Sequence, residues 1–486
     1  MPVPPANPAA KTLAAKTSAA KTSAATTRAT LAVLSMAQFL IALDYSIIYI
    51  ALPSVAADLH LEPALAQWVV SAYAVLFAGF LVVGGRLTDR VGAKRLFIVA
   101  IVAFGVASAI GGAAGDGAVL LAARGAQGLG AALLQPAVLG LIGTTFPAGP
   151  ARSRALAVWG SVGASGLAAG AILGGLLTAA SWRLTFVINV PLTLLCALGA
   201  AAWVGAGQRT PAGRTPLLAS VLGTGTVLAL VLGLTLGSER GWTATPTAGC
   251  LGLALLLFVG FVHNERTARA VLIEPVLRRT GSLRVGAAAT ALYMASVGSE
   301  FYLLTLLLQA AKGYPPLRAG LAFLPLAVLV TAGSTAAGRA VRRFTPSTVL
   351  TSGFLIATGG LLWLSLTLHG DSYTVDLLPG LLLSGFGHGL IYTSMFIIGT
   401  RDVPAAHQGT AGALLTTSQY LSGAVTVAVL TLTLGPAPGP ASFRTAFLLT
   451  TAAAAAGLVL ALGTSRRAGP RVAPNSHRRR RQEELN

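Results

Sequence analysis

The stretch Gly84–Arg95 reads Gly-Gly-Arg-Leu-Thr-Asp-Arg-Val-Gly-Ala-Lys-Arg, and it indicates the fold class. It places four cations and one carboxylate, Asp89, between two long apolar runs. Basic residues clustered between apolar runs mark one face of a membrane in helical membrane proteins. We therefore expect a short loop that bends at its glycines, lies on one membrane face and moves during function.

The composition excludes an ordinary soluble enzyme. Of the 486 residues, 54% are hydrophobic and only 10% are charged, whereas soluble proteins carry about 25% charged residues. The apolar residues come in runs of about 20, the length that crosses a bilayer as a helix. Backbone groups in lipid must bond internally, and the ten-residue alternation of a membrane barrel is absent. The sequence thus predicts an all-α polytopic membrane protein.

We count fourteen candidate membrane spans in the sequence. An even number of spans places both termini on the same side of the membrane. The predicted limits are 31–53, 66–86, 95–114, 118–143, 156–178, 184–206, 216–237, 246–264, 285–309, 319–341, 348–368, 376–399, 409–434 and 443–463.

The distribution of basic residues orients these spans. The face shared by the even-numbered loops and both tails holds 28 of the 34 Lys and Arg residues, and the opposite face holds five. Arg124 remains, at the start of the fourth span. Because cytoplasmic loops are enriched in Lys and Arg, we expect both termini to be cytoplasmic, in the cytoplasmic membrane. Topology therefore explains the net charge of +20 without a nucleic-acid partner.

The basic segment after span eight suggests a division into two halves. A fragment of the basic pattern recurs after span ten, at Gly338–Arg343, but without the Asp. The predicted parts are a disordered cytoplasmic tail (1–30), an N-terminal six-helix bundle (31–206), two extra transmembrane helices (207–264), a cytoplasmic linker (265–284), a C-terminal six-helix bundle (285–463) and a basic cytoplasmic tail (464–486).

The opening stretch resembles the signature loop of the major facilitator superfamily, G-x-L-x-D-[RK]-x-G-[RK]-[RK]. Ala93 replaces one basic residue of that pattern. The resemblance implies that Asp89 engages the positive end of a helix in the C-terminal half, span thirteen near Gly409, in the outward-open state. The alternative is a basic turn that only fixes topology. The residues of this predicted gate are Gly85, Asp89, Arg90, Gly92, Lys94 and Arg95.

Further segments resemble the fourteen-span drug:proton antiporters of that superfamily. Ser46 and Tyr49 depart from the family pattern of the first span. The resemblance implies the major facilitator fold, with two six-helix bundles plus two extra central spans, in a family that includes antibiotic exporters of actinomycetes, such as exporters of cephamycin-like compounds. The segments are Leu43–Pro53, Gln67–Tyr73, Arg124–Gly128, Ser181–Pro191 and Arg318–Pro325.

Two carboxylates inside predicted spans are candidates for proton coupling. Asp44 lies within the first span and Glu300 within the ninth. A charge at the membrane centre costs about 2.5–3.5 kcal/mol or more, so such groups are usually functional. Each could instead be a structural carboxylate that bonds to a neighbour. We add Arg124, to which the resemblance assigns a role in proton transfer; the alternative is an anchor at the membrane interface.

Polar stripes on several spans predict a substrate cavity. Tyr293, Ser296 and Glu300 recur at i, i+3 and i+7, and His388 and Tyr392 are four residues apart. His388 has no ligand partners at metal spacing, so we predict no metal site, and a satisfied core histidine is its alternative. The predicted cavity residues are Gln38, Tyr45, Gln127, Tyr293, Ser296, His388, Tyr392 and Gln419.

Glycines at four-residue spacing predict close helix packing in the fifth span. Gly166, Gly170 and Gly174 lie on one face, and small residues at this spacing let helices approach closely. The antiporter pattern has a Pro where this chain has Ala171. We therefore expect the proline kink to be missing.

The predicted function is proton-coupled export of a drug-like small molecule or antibiotic. No G-x-x-x-x-G-K-[ST] motif occurs, so an ion gradient or a partner must supply the energy. We predict no enzymatic activity, no cofactor, and a monomer whose partners are substrate, protons and lipid. The alternatives are a proton-coupled importer and a non-transporting receptor or scaffold.

Overall fold

A computed structural model describes residues 8–205, 216–268, 271–368, 370, 372–435 and 438–467. Within these residues, thirteen helices are long and apolar enough to cross a membrane, and one bent helix brings the number to fourteen. The predicted all-α membrane fold is confirmed. Most of the predicted basic cytoplasmic tail, residues 468–486, lies outside the described residues.

The first eight spanning helices cover the chain up to the linker. Helix α4 is capped at its start by Asp116, whose side chain accepts a hydrogen bond from the backbone of Val119 at 2.9 Å. The helices are α1 Pro8–Asp58, α2 Pro63–Val91, α3 Ala93–Gly112, α4 Gly117–Thr145, α5 Pro150–Ala180, α6 Leu184–Trp203, α7 Leu217–Arg240 and α8 Thr245–Thr267.

The remaining six spanning helices follow a short helix, Pro275–Arg279, in the linker. A wider, π-helical segment interrupts α9 at Met294–Gly298, and a second one, Leu307–Ala311, overlaps its end. The helices are α9 Gly281–Gln309, α10 Arg318–Ala340, α11 Pro346–Thr367, α12 Tyr373–Thr400, α13 Gln408–Leu434 and α14 Pro440–Arg467.

Two predicted irregular segments are helical in the structure. Helix α1 begins at Pro8, so the part of the predicted disordered tail from residue 8 onward is helical; its Ala and Lys residues favour helix formation. Most of the predicted loop at 84–95 is also helical, because α2 continues to Val91 and α3 starts at Ala93. Only Gly92 breaks the helix, with a φ of 100° that glycine adopts without a steric penalty.

The helices pack in two groups. Helices α1 to α6 contact one another, chiefly through the pairs α1–α5, α2–α4 and α3–α4. Helices α9 to α14 form the second group, in which α12 packs between α10 and α11. Helices α7 and α8 pack together, and α7 contacts α2 and α13. The domain boundaries stated above remain a prediction.

The two groups meet in the part of the bundle nearest to Gly92. A Cβ atom on Gly85 of α2 would lie 2.9 Å from Cα of Thr410 on α13. The hydroxyl groups of Ser161 on α5 and Thr335 on α10 are 3.1 Å apart. These contacts bring the two groups together at this end of the bundle.

The glycine face of α5 lies against α1. A Cβ atom on Gly170 would lie 2.8 Å from the carbonyl oxygen of Leu43, and one on Gly174 would lie 3.0 Å from Cβ of Ile50. Gly166 is equally close to the backbone of Phe39. The helix bends here, contrary to the expectation from Ala171: the axes of Pro150–Leu167 and Ile172–Ala180 differ by 42°. Closely spaced glycine and serine residues permit such a bend without proline.

Candidate functional site

Asp44 lies at the centre of a buried polar cluster that joins α1, α4 and α6. Its side chain is 2% exposed. Oδ2 accepts a hydrogen bond from Nη1 of Arg124 at 2.8 Å. Oδ1 accepts hydrogen bonds from the amide groups of Gln127, at 3.1 Å, and Asn189, at 2.8 Å. Both oxygens of this carboxylate are therefore satisfied, and Arg124 supplies the counter-charge.

Arg124 is fixed on several sides as well. Its Nε donates to the carbonyl oxygen of Val69 at 2.9 Å, and its Nη1 also donates to Gln127 at 3.0 Å. The guanidinium lies 4.6 Å from the ring centre of Tyr73, a distance at which cation–π attraction operates. Since Arg124 is only 1% exposed, the alternative of an interface anchor is wrong.

Three further members of this cluster were not predicted as site residues. Asn189 falls within the quoted Ser181–Pro191 segment, where an amide inside an apolar span was a usable signal. Tyr73, which stacks on Arg124, ends the quoted Gln67–Tyr73 segment. Ser108 accepts a hydrogen bond from Gln127 at 2.8 Å, and nothing in the sequence marked it, since Ser occurs often in apolar spans.

Glu300 belongs to a second cluster, between α9 and α12. Its side chain is fully buried, and Oε1 accepts a hydrogen bond from Oγ of Ser384 at 2.7 Å. Oε2 has no partner among the described residues. This carboxyl group therefore differs from Asp44, because no cation in the described part of the chain is bonded to it.

His388 follows Ser384 by one helical turn on α12. Its Nε2 forms a hydrogen bond with the hydroxyl group of Tyr293 on α9. Its Nδ1 is buried and has no partner within the described part of the chain. The predicted alternative, a core histidine with its hydrogen bonds satisfied, therefore holds for one of the two ring nitrogens. Ser296, predicted to share this stripe, donates instead to the carbonyl of Leu292 in its own helix at 2.6 Å.

The other predicted cavity residues occupy separate places. Tyr392 stacks on Trp159 of α5 with ring centres 5.8 Å apart, which links the two groups of helices. Gln38 is buried against Gly163, and its Oε1 is unpartnered among the described residues. Tyr45 pairs with the half-exposed Tyr49 on its own helix. Gln419 is partly buried on α13.

Asp89 contacts the first turn of α13, where the family resemblance places it. Its Oδ1 accepts from the backbone N–H of Gly409 at 3.0 Å. Its Oδ2 accepts from the backbone N–H and the hydroxyl of Thr410, at 2.9 and 2.5 Å. An anion at this position is stabilised by the helix dipole and by the free N–H groups of the first turn.

A second carboxylate, Glu274 in the linker, lies at the same junction and was missed by the sequence analysis. It forms an ion pair with Arg86 on α2 and contacts Nε2 of His407 at 3.3 Å. His407 directly precedes α13. Glu274 therefore bridges the two groups of helices. An acidic residue before Pro275 in a basic segment was the available signal.

The remaining predicted gate residues surround Gly92. Nζ of Lys94 donates to the carbonyl oxygen of Ala201 on α6 at 3.1 Å. Arg90 is partly buried and Arg95 is exposed. Thus Gly85 and Asp89 lie at the contact between the two groups, whereas Lys94 contacts α6 of its own group.

Comparison with known proteins gives the family. The sequence profile of the Major Facilitator Superfamily matches residues 34–427. The chain belongs to this superfamily. It is a multi-pass membrane transporter of small molecules and not an enzyme, which confirms the predicted family and class.

Two relatives from actinomycetes are similar over most of their length. The chain is 36% identical to the puromycin resistance protein pur8 of Streptomyces alboniger over 410 residues, 82% of this chain and 80% of that protein. It is 38% identical to the cephamycin export protein CmcT of Amycolatopsis lactamdurans over 402 residues, 81% of this chain and 82% of that protein.

Solved transporter structures share the fold. The human organic anion transporter MFSD10 superposes with a TM-score of 0.65 at 14% identity, covering 90% of this chain and 99% of that one. The proton:xylose symporter XylE superposes with a TM-score of 0.63 at 14% identity, covering 90% and 95%. This similarity establishes the architecture of the transporter.

Proposed function

We propose that the protein is a proton-coupled antiporter that exports a drug-like small molecule or antibiotic across the cytoplasmic membrane. The observation that carries the proposal is the pair of buried carboxyl groups, one in each group of helices: Asp44 is 2% exposed and Glu300 is fully buried. Ionisable groups inside membrane spans usually mark substrate, ion or proton pathways. The similarity to puromycin and cephamycin resistance and export proteins supports export as the direction.

The closed junction at Gly92 supports an alternating-access cycle. Asp89 and Glu274 link the two groups of helices at the end that we propose to be cytoplasmic, where most Lys and Arg residues lie. In this arrangement both termini are cytoplasmic, and the conformation is closed to the cytoplasm. This end of the bundle can open only when the hydrogen bonds of Asp89 break. Asp89 and Glu274 therefore act as a gate.

Aromatic residues where the groups meet support a drug-like cargo. Trp159 stacks on Tyr392, and Phe77 of α2 lies edge-on to Tyr420 of α13 with ring centres 4.6 Å apart. Sites for small organic molecules are mostly apolar and aromatic, with a few placed polar groups. Buried Trp159 has an unpartnered indole N–H among the described residues, which offers a hydrogen bond to such a molecule.

Export can be tested in a drug-sensitive bacterial host that expresses the full chain. We expect raised resistance to puromycin or to a cephamycin, together with lower intracellular drug. Asp44→Asn and Glu300→Gln should each abolish this resistance while the protein remains in the membrane. Increased intracellular drug would instead indicate an importer. If both variants keep wild-type resistance, proton coupling through these carboxyl groups is excluded.

A further inference from the structure

The two buried carboxyl groups occupy corresponding places in the two groups of helices. Asp44 is on α1 and its partner Arg124 is on α4, the first and fourth helices of their group. Glu300 is on α9, and Ser384 and His388 are on α12, again the first and fourth helices of their group. The hydrogen bonds of the two carboxyl groups can therefore be compared directly.

Their hydrogen-bonding environments differ. Asp44 receives three hydrogen bonds, one of them from a buried guanidinium. Glu300 receives one, from the neutral hydroxyl of Ser384, and leaves Oε2 without a donor in the described part of the chain. Burying an unpaired carboxylate is so costly that the group binds a proton instead. Asp44 is therefore paired with a cation, whereas the surroundings of Glu300 favour its neutral form.

No charged group faces Glu300 from the described helices around it. Its own helix contributes Tyr293 and Tyr302, which bond to His388 and to Thr431 respectively. The titratable groups on α12 are His388, Tyr392 and, near its outer end, Asp376, which bonds to the backbone of Ser372. Helix α13 contributes Tyr420, and α14 contributes Arg444 near its outer end. Ionised Glu300 would therefore lack a counter-ion.

We propose that Glu300 is the group that takes up and releases the transported proton, whereas Asp44 holds α1 to α4 through its ion pair with Arg124. The assignment rests on the proposed antiport function. In the conformation described here, Glu300 holds the proton on its carboxyl group. After the change of access the proton passes to water on the cytoplasmic side, and the carboxylate keeps the hydrogen bond from Ser384.

Infrared difference spectroscopy of the full chain in lipid, recorded as the pH is varied, tests the assignment with the proton alone as ligand. We expect a carbonyl band of a buried protonated carboxylic acid that disappears as the pH rises. The band should be lost in Glu300→Gln and kept in Asp44→Asn. A band that survives in Glu300→Gln and is lost in Asp44→Asn would overturn the proposal.

A milder variant at the same site separates loss of the proton site from loss of the fold in Glu300→Gln. Ser384→Ala removes the one hydrogen-bond donor to Glu300, so the band should change in frequency and in the pH at which it disappears. Ser365→Ala is the matched control, because buried Ser365 donates, among the described residues, to the carbonyl of Leu362 in its own helix. An identical band in Ser384→Ala and wild type would also contradict the assignment.

Transport measurements separate this assignment from the proposed function. If the band depends on Glu300 but wild-type protein moves no protons with puromycin or a cephamycin, proton antiport of these compounds fails and the assignment of the titrating group stands. If wild-type protein exchanges protons for drug and Glu300→Gln does so equally well, antiport stands and the assignment fails.

Discussion

Asp89 at the end of α2 accepts a hydrogen bond from the backbone N–H of Gly409 at the start of α13, at 3.0 Å. This contact joins residues that are 320 positions apart. It ties the two groups of helices together at one end of the bundle. Any opening at that end must break it, so the strength of this contact affects the balance between the two access states.

Asp89→Asn should shift the protein toward the state that is open at the Gly92 end. The charge–dipole interaction is worth about 1 kcal/mol, which corresponds to roughly a fivefold change in population. A cysteine at Ser161, in a background with Cys196 and Cys250 replaced, should be labelled faster. Asp402→Asn is the control, since Asp402 is exposed and pairs with the neighbouring Arg401. Equal labelling in all three proteins would refute the gate.

Glu274→Gln should weaken the same junction. Glu274 pairs with Arg86 on α2 and contacts His407 before α13, so loss of its charge removes an attraction between the two groups of helices. The reporter cysteine should therefore be labelled faster than in the wild-type background. We expect a free-energy effect below about 1 kcal/mol, because the partners are partly exposed. Labelling equal to that of the wild-type background would exclude this bridge.

Arg124→Gln should destabilise the fold far more than loss of a surface pair. Removal of one partner of a buried ion pair costs about 3–5 kcal/mol, because the other charge stays buried. The double variant Arg124→Gln, Asp44→Asn should regain part of the stability that Arg124→Gln loses. Arg183→Gln is the control, since its ion pair with Asp58 is exposed. Thermal unfolding in detergent measures this, and equal losses for both arginine variants would contradict the buried pair.

Two glycine substitutions should have opposite effects on stability. Gly170→Ala would press a methyl group against the backbone of Leu43, and overpacking of this kind costs about 1–3 kcal/mol. Gly252→Ala, on α8, meets nothing within 4 Å and should stabilise its helix by up to about 1 kcal/mol. Equal unfolding temperatures for the two variants would contradict the close packing of α5 on α1.

The spans and the buried charges could be predicted from the sequence because both follow from the cost of charge in lipid. Asp44 and Arg124 stood out as charged residues in apolar runs. Their pairing could not be predicted, because it depends on the packing of helices 80 residues apart in the chain. The hydrogen bond from Asn189 to Asp44, which lies 145 residues away, could not be predicted for the same reason.

At the end of α2, by contrast, the structure could not be predicted from the sequence. The glycines and charges of 84–95 indicated a loop, yet α2 continues to Val91 because only Gly92 has a positive φ. The other glycines serve close packing: Gly85 lies against α13 and Gly84 against the backbone of α4. Composition alone cannot distinguish a glycine that bends the chain from one that makes room for a neighbouring helix.

Proton flux in reconstituted vesicles is the decisive test of proton-coupled export. Full-length protein is placed in lipid vesicles with a pH-sensitive dye inside, and puromycin or a cephamycin is added under an imposed pH gradient. We expect drug transport against its gradient with protons moving in the opposite direction, and loss of both when a protonophore collapses the gradient. Drug transport that continues unchanged after collapse of the gradient, with no proton movement, would refute proton coupling.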